Sequence, residues 1–386
     1  MDFESWGEPK VAFNKTFFRI ESEVRDVSFV LESPLKLDDD HDSLEFQISF
    51  FRRQNLKENS IHQVYLSGPA GKRIGWLIPV NALSSSEHDQ AENKFFLKYA
   101  YSAHKAIAQS LTPEQLAAAL AHNGASITLA ELFESDIAVL VLSVDNLANL
   151  SDFSVSRIVP SLVAYGYVPA SVSEGGAVAV LAAPVEIEGR LKVSLISSDI
   201  ENPELIERLI TLAAASGTSR ISQFFFLYQI IEYLMDAVLR HRLPAVARAM
   251  IGGVKAGQTG SLREDIEALQ DQFREKKRIE LLVSHYCSTP PSVAKLGRAS
   301  QNFLEAVGPL EKQGVEALYA VRNFVFHQTR NIPESQIDLL DDVVEEFIAF
   351  IVDLVTSYRL PSDGGAAAVI DALNNDYREL AAGVTV

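Results

Sequence analysis

The chain has 386 residues, of which 47% are hydrophobic and 22% are charged, and its formal net charge is -17. This composition is globular rather than disordered, and the length predicts two or three domains because one ordinary core does not extend over so many residues. The single cysteine, Cys287, excludes a disulfide framework and a cysteine-rich zinc site, so we expect a reducing compartment, the cytoplasm.

The start of the chain predicts no secretory signal, because its first ten residues hold neither a basic region nor a following apolar stretch. Apolar runs such as FFFLYQIIEYLM and FIAFIVDLV are interrupted by Glu232 and Asp353. They fall short of the roughly 20 apolar residues that a membrane span requires. We therefore expect no membrane partner.

From Lys10 to about Val80 the sequence has short patterns that are typical of β-strands. They are VAFNKTFFRIE, VSFVLES, SLEFQISFF and HQVYLSGPAGKRIGWLIPV. The Gly-Pro-Ala-Gly centre of the last stretch predicts a hairpin turn between two strands. Thr112 and Pro113 then predict the start of a helix that extends to about His122. The stretches IAVLVLSV, SRIVPSLVAYGY, GGAVAVLAAPVEIE and RLKVSLISS continue a mixed α and β pattern to Ser198.

After Pro203 the strand patterns stop and helical patterns replace them. The predicted helices extend over 203–215, 219–250, 261–285, 291–307, 314–328, 333–359 and 365–382. We therefore predict an α+β protein in which a β-rich, mixed module over 1–203 precedes an antiparallel all-α bundle over 204–360. A C-terminal tail with a short helix over 361–386 completes the predicted organisation.

The charge is distributed unevenly along these segments. Up to Thr218 there are 17 basic and 29 acidic residues, from Ser219 to Arg330 there are 15 and 11, and beyond Arg330 there are 2 and 11. The net charges are therefore -12, +4 and -9. Only the middle segment is not acidic, and a locally positive surface is what phosphate binding requires.

Two glycine-containing stretches lack what a nucleotide site needs. In LSGPAGKRIG, Leu66 stands where a phosphate loop needs its first glycine and Arg73 stands where it needs Ser or Thr. GGVKAGQTGS is not preceded by the strand of a dinucleotide fingerprint, so we interpret it as an interhelical loop. No metal site and no cofactor are predicted.

The most specific motif is YAVRNFVFHQTRN, which places Arg322, Asn323 and His327 on a predicted helix. At about 100° per residue, Arg322 and His327 lie some 140° apart, whereas Asn323 and His327 are an i, i+4 pair that can meet. Either the helix frays near His327, or two chains complete one phosphate site. A second pair, Arg278 and His285, has no adjacent asparagine, and we interpret it as structural.

The Arg-Asn-x-x-x-His motif resembles that of the HEPN superfamily, whose catalytic members are metal-independent ribonucleases. The resemblance covers about 219–360 and implies a site formed by Arg322, Asn323 and His327. An acidic residue on an earlier helix often faces this motif, and Glu232 is the candidate. Thr329 stands where some HEPN toxins have a tyrosine. The family also implies RNA as the substrate, and two paired bundles, hence a homodimer.

The residue types suit metal-free RNA cleavage, in which a base of near-neutral pKa takes the 2'-hydroxyl proton and a bidentate cation holds the phosphate. The resemblance extends to ApeA-like bacterial defence proteins, which implies a toxin or anti-phage effector whose N-terminal module senses a trigger ligand or protein. Two alternatives remain open: a non-catalytic HEPN bundle that binds RNA or protein, and a structural scaffold in which Arg322 pairs with a carboxylate. Glu232 is equally consistent with a solvated stripe formed with Ser222, Gln229, Asp236 and Arg240.

Overall fold

The structure is a computed structural model of the chain. It describes residues 10–14, 17–21, 28–37, 44–68, 71–111, 115, 126–150, 152–170, 187, 189–217, 219–255, 267, 270, 273–288, 291–307, 312–328 and 337–361. The chain divides into two compact units, which we call the N-terminal unit (1–195) and the C-terminal unit (196–386). The fold class is α+β, because the N-terminal unit is rich in strands and the C-terminal unit is helical.

The described residues of the N-terminal unit form two sheets. The smaller is an antiparallel meander of β1 (Lys10–Asn14), β2 (Phe17–Glu21) and β3 (Ser28–Glu32). The larger has the order β8-β4-β7-β6-β5-β9. Its strands are β4 (Phe46–Arg52), β5 (His62–Leu66), β6 (Arg73–Pro79), β7 (Ile137–Ser143), β8 (Val168–Pro169) and β9 (Arg190–Val193). All neighbours in this sheet are antiparallel except β5 and β9, which are parallel.

The predicted hairpin is confirmed, since β5 and β6 pair as antiparallel neighbours. The Leu66 amide donates to the Lys72 carbonyl at 2.9 Å, which closes the turn. Gly71 has a φ of 45° there, a left-handed conformation that favours glycine. The apolar run of β7 forms the centre of the larger sheet, where Ala138 to Leu142 are all buried.

The described α-helices of the N-terminal unit are α1 (Val80–Leu83), α2 (Lys94–Gln109), α3 (Leu129–Leu132), α4 (Val144–Leu147) and α5 (Val159–Ala164), and a 3₁₀ turn covers Val155–Arg157. The longest of them, α2, was not predicted from the sequence. Asn93 caps it by accepting hydrogen bonds from the amides of Phe95 and Phe96, and Phe96 packs edge-on against Trp76 of β6. The helix predicted over 112–122 lies outside the described residues apart from Gln115, and the stretch 175–188 lies outside them apart from Ile187.

Two buried histidines make the stability of the N-terminal unit depend on pH. Burial, reinforced by Arg53, lowers the pKa of His62 from 6.5 to about 4, and burial lowers that of His104 to about 4. Among the described residues, neither ring nitrogen of His62 has a hydrogen-bond partner, and His104 stacks on Phe18. Both rings are therefore neutral in the folded protein at neutral pH.

Because the folded pKa values are depressed, this contribution to stability is present above pH 6.5 and is lost as the pH falls towards 4. At pH 5 the expected loss in the free energy of unfolding is about 2 kcal/mol for each histidine. Urea denaturation at pH 7.5 and pH 5 measures this difference in the free energy of unfolding. The double variant His62→Leu, His104→Phe should show a flatter pH profile, and an equally steep one would contradict this assignment.

The C-terminal unit is helical, and the structure describes no strand in it between 196 and 361. The helices that the structure bounds there are α6 (Pro203–Ala215), α7 (Arg220–Lys255), α8 (Glu275–Leu281), α9 (Ser292–Val307), α10 (Gly314–Gln328) and α11 (Ile337–Ser357). A π-helical turn, Leu282–Tyr286, extends α8. The sequence predicted both ends of α6 and α10. The predicted helix over 365–382 lies outside the described residues, as do most of residues 261–272.

Apolar side chains at helical spacing hold α10 in the core of this unit, where Leu318, Val321 and Val325 are buried. Its first residue, Gly314, lies so close to α9 that a Cβ on Gly297 would come within 2.8 Å of the Gly314 Cα. The helix that carries the sequence motif is therefore packed tightly at its start. In the described part of the chain, no helix is long and apolar enough to cross a membrane.

Candidate active site around Arg322

Arg322 projects from α10 into a mostly buried environment and is 19% exposed. Its Nη1 donates to the Asn323 Oδ1 at 3.0 Å, and its Nη2 lies 3.5 Å from the Glu232 Oε1 on α7. Its Nε lies 3.4 Å from the Glu275 Oε1 at the start of α8. Arg322 is thus held between carboxylates from two other helices.

Two aromatic rings flank the same guanidinium group. Its central carbon lies 4.9 Å from the ring centre of Phe326 and 5.7 Å from that of Tyr228. The Tyr228 hydroxyl donates to the Glu275 Oε1 at 2.9 Å. Burial, and then Glu275, raise the pKa of Tyr228, so its hydroxyl stays protonated and keeps the Glu275 carboxylate in place. These contacts restrict the guanidinium, whose Nε approaches Glu275 as an ion pair but forms no hydrogen bond among the described residues.

Glu232 is partly buried, and its two oxygens have different partners. Oε1 faces Arg322, and Oε2 accepts a hydrogen bond from the Gln229 amide at 2.7 Å. Asp236, one turn further along α7, pairs with Arg278 at 2.9 Å. The acidic positions on this face of α7 therefore bind cations of the unit, and Glu232 is placed where it can position Arg322.

His327 is exposed in the last turn of α10. α10 extends to Gln328, so His327 is still helical here and lies one residue before the end of the helix. In the described part of the unit His327 has no hydrogen-bond partner. The side-chain oxygen of Asn323, Oδ1, accepts a hydrogen bond from Arg322 instead. The expected contact between Asn323 and His327 is thus absent within one chain.

The second motif-like pair is engaged elsewhere. Arg278 forms the ion pair with Asp236, and the His285 Nδ1 lies 2.6 Å from the Ser284 hydroxyl on an exposed surface. Neither residue contacts Arg322 among the described side chains. These contacts agree with the structural interpretation of the pair.

Sequence reasoning placed Glu232 beside Arg322 only through the family resemblance, and it missed Glu275, Tyr228 and Phe326. Phe326 is an i, i+4 neighbour of Arg322 on α10, and Tyr228 has the same spacing to Glu232 on α7, so helical spacing could have indicated both. Glu275 comes from a separate helix, α8, and carries no such signal. Among the described residues, no group of three or more His, Cys, Asp or Glu side chains could hold a metal ion. Comparisons of the chain with protein-family models, with curated proteins and with solved structures find no match.

Proposed function

We propose that the C-terminal unit is an antiparallel bundle of HEPN type that cleaves RNA without a metal ion. The observation that supports this proposal is the orientation of Arg322 by Glu232, Glu275 and two aromatic rings, on the same helix as the exposed His327. An arginine restricted in this way is suited to a phosphate, which it binds through two parallel N–H donors.

In the proposed reaction His327 takes the proton of a ribose 2'-hydroxyl, and the resulting oxygen attacks the adjacent phosphorus. The bond from phosphorus to the 5'-oxygen of the next nucleotide breaks. The products are a 2',3'-cyclic phosphate and a 5'-hydroxyl, and the leaving oxygen takes its proton from water. Arg322 stabilises the negative charge that develops on the phosphate oxygens. Asn323 and Glu232 are positioning residues, because both contact the guanidinium.

Direct evidence for this function would be cleavage of single-stranded RNA by the purified chain in the presence of EDTA. We expect products with 2',3'-cyclic phosphate ends, which are resolved by denaturing electrophoresis before and after treatment with acid. Cleavage that EDTA abolishes would contradict the metal-independent mechanism.

The positions of Arg322 and His327 on one helix support the proposal of a homodimer. Since they point some 140° apart, we propose that Arg322 of one chain and His327 of a second chain line a shared cleft. Sedimentation at micromolar concentration is expected to show a dimer. A strictly monomeric chain with full cleavage activity would rule this arrangement out.

The two carboxylates around Arg322 favour a second candidate function. They already neutralise the guanidinium, as expected of a non-catalytic bundle that binds RNA or protein and uses Arg322 as a structural ion-pair partner. RNA binding without cleavage in EDTA or in magnesium would favour this candidate. We further propose, from the resemblance to ApeA-like proteins alone, that the ribonuclease is a toxin or anti-phage effector and that the N-terminal unit recognises its trigger.

A further inference from the structure

A cavity of about 230 Å³ lies in the C-terminal unit, away from the residues around Arg322. One wall comes from α7, whose residues Tyr233, Leu234, Ala237, Arg240 and His241 recur at helical spacing. Glu232 precedes Tyr233 by one residue, a rotation of about 100°, so α7 presents different faces to Arg322 and to this cavity. The cavity is smaller than the roughly 300–1,000 Å³ of pockets for drug-sized ligands.

Two hydrogen bonds donated by backbone amides hold the opposite walls of the cavity in place. The Ser197 amide donates to the Val355 carbonyl of α11 at 2.9 Å. The Leu360 amide donates to the Asp199 Oδ2, also at 2.9 Å. The segment before α6 is thus fastened to the end of α11, and the cavity is already formed without a ligand. A preformed site binds with a smaller loss of conformational entropy.

Tyr358 is the most unusual group in the wall. It is 1% exposed, and its hydroxyl has no hydrogen-bond partner among the described residues. Burial raises the pKa of this hydroxyl, and Tyr286 and then Cys287, Asp199 and Tyr233 add to the shift. The Tyr358 hydroxyl therefore stays protonated and can donate a hydrogen bond, and Asp199 and Tyr233 of the cavity wall lie near it. A buried hydroxyl without a partner is costly, and a ligand atom would satisfy it.

Charged groups of both signs line the cavity. Glu201 and Arg240 both belong to its wall, and both are exposed to solvent. Neither residue has an ion-pair partner in the described part of the unit. The His241 Nδ1 is 2.9 Å from the Tyr286 hydroxyl, which orients the ring and leaves Nε2 unused by described groups. The wall therefore offers an acceptor for an ammonium group and donors for a carboxylate.

We propose that this cavity binds a free amino acid or a similarly small zwitterion. Its carboxylate would lie against Arg240 and His241, and its ammonium group against Glu201. The side chain would pack on Leu234 and Ala237, with a polar tip reaching the Tyr358 hydroxyl. The site is for binding rather than covalent chemistry, since burial raises the pKa of the nearby Cys287 thiol to about 12.

Isothermal calorimetry with the full chain and the twenty protein amino acids at millimolar concentration tests this proposal. At least one amino acid should bind, and L-phenylalanine, 3-phenylpropanoate and phenethylamine separate the contributions of its charged groups. Removing either the ammonium or the carboxylate group should weaken binding about tenfold or more, a loss expected of a charge-assisted hydrogen bond. No binding by any amino acid would overturn the proposal.

Matched variants locate the ligand. Phenethylamine lacks the carboxylate, so Arg240→Gln should bind it as tightly as L-phenylalanine. 3-Phenylpropanoate lacks the ammonium group, so Glu201→Gln should bind it as tightly as L-phenylalanine. Arg242→Gln, on the same helix but outside the cavity wall, and Glu204→Gln, in the first turn of α6, should leave the preference for L-phenylalanine over both compounds unchanged. Binding that survives both cavity variants unchanged would place the ligand elsewhere and overturn the proposal.

Tyr358→Phe provides an independent test, because it removes only the hydroxyl. Without ligand its melting temperature should equal or exceed that of the wild type, since no hydrogen bond is lost. Affinity for L-tyrosine or L-glutamine should fall several-fold, whereas affinity for L-phenylalanine should be retained. A lower melting temperature in the absence of ligand would show that the hydroxyl is already satisfied and would overturn its assigned role. None of these measurements depends on RNA cleavage.

Discussion

His327→Ala is expected to lower the rate of RNA cleavage by about 10²–10⁴-fold, the range for loss of a general base. RNA affinity should stay close to that of the wild type, because a neutral imidazole adds little to phosphate binding. The melting temperature should not change, since His327 is exposed and has no described hydrogen-bond partner. Single-turnover cleavage assays, fluorescence anisotropy with a non-cleavable RNA analogue and thermal denaturation measure these three quantities.

The matched control is His285→Ala, which also removes an exposed histidine of the C-terminal unit. His285 contacts Ser284 and lies outside the proposed site, so the control should cleave RNA at the wild-type rate. An active His327→Ala variant would exclude His327 as the base. If dimerisation completes the site, mixing His327→Ala with Arg322→Ala chains should restore part of the activity, because one of the two shared clefts then keeps both groups.

Arg322→Ala is expected to impair both RNA cleavage and stability. The substitution removes the phosphate contact, so RNA affinity and cleavage should both decrease. It also leaves Glu232 and Glu275 without their common cation, next to the buried Tyr228. Because both carboxylates are partly exposed, we expect a loss of about 1–3 kcal/mol in the free energy of unfolding, less than for a fully buried pair. Urea denaturation measures the loss.

A triple variant separates the two effects. Arg322→Met combined with Glu232→Gln and Glu275→Gln removes the cation together with both of its carboxylate partners. Stability should recover towards the wild-type value, since no uncompensated charge remains. RNA cleavage should stay lost if Arg322 binds the phosphate. A triple variant with full stability and wild-type cleavage would show that Arg322 is only a structural ion-pair partner.

Local features of the sequence were sufficient to predict several elements. Turn chemistry over Gly68–Gly71 predicted the hairpin of β5 and β6, because glycine is favoured where a chain reverses with positive φ. Pro203 and Ala215 bounded α6 as predicted, and so did Gly314 and Gln328 for α10. Such boundaries depend on capping and on apolar periodicity, which are properties of neighbouring residues.

Two features of the N-terminal unit were not predicted. Local signals for α2 are present, because Asn93 caps its start and Phe96, Ala103 and Ile107 recur at helical spacing on its buried face, but the sequence analysis did not use them. The parallel pairing of β9 with β5 has no local signal, since it joins strands more than a hundred residues apart. Long-range pairing depends on which apolar faces fit together, and that information is spread over the whole unit.

The sequence by itself determined the α+β division, the position of the Arg322 and His327 motif on one helix, and the separation of these two residues around it. Only the tertiary structure decided that Glu232 and Glu275 both face Arg322 and that the Tyr228 hydroxyl donates to Glu275. It also left the Tyr358 hydroxyl, beside a cavity, without a partner among the described residues. The physical reason is how far apart in the sequence the interacting residues lie. Helix formation depends on residues a few positions apart, whereas an ion pair or a cavity wall is assembled from helices whose packing brings distant side chains within a few ångströms.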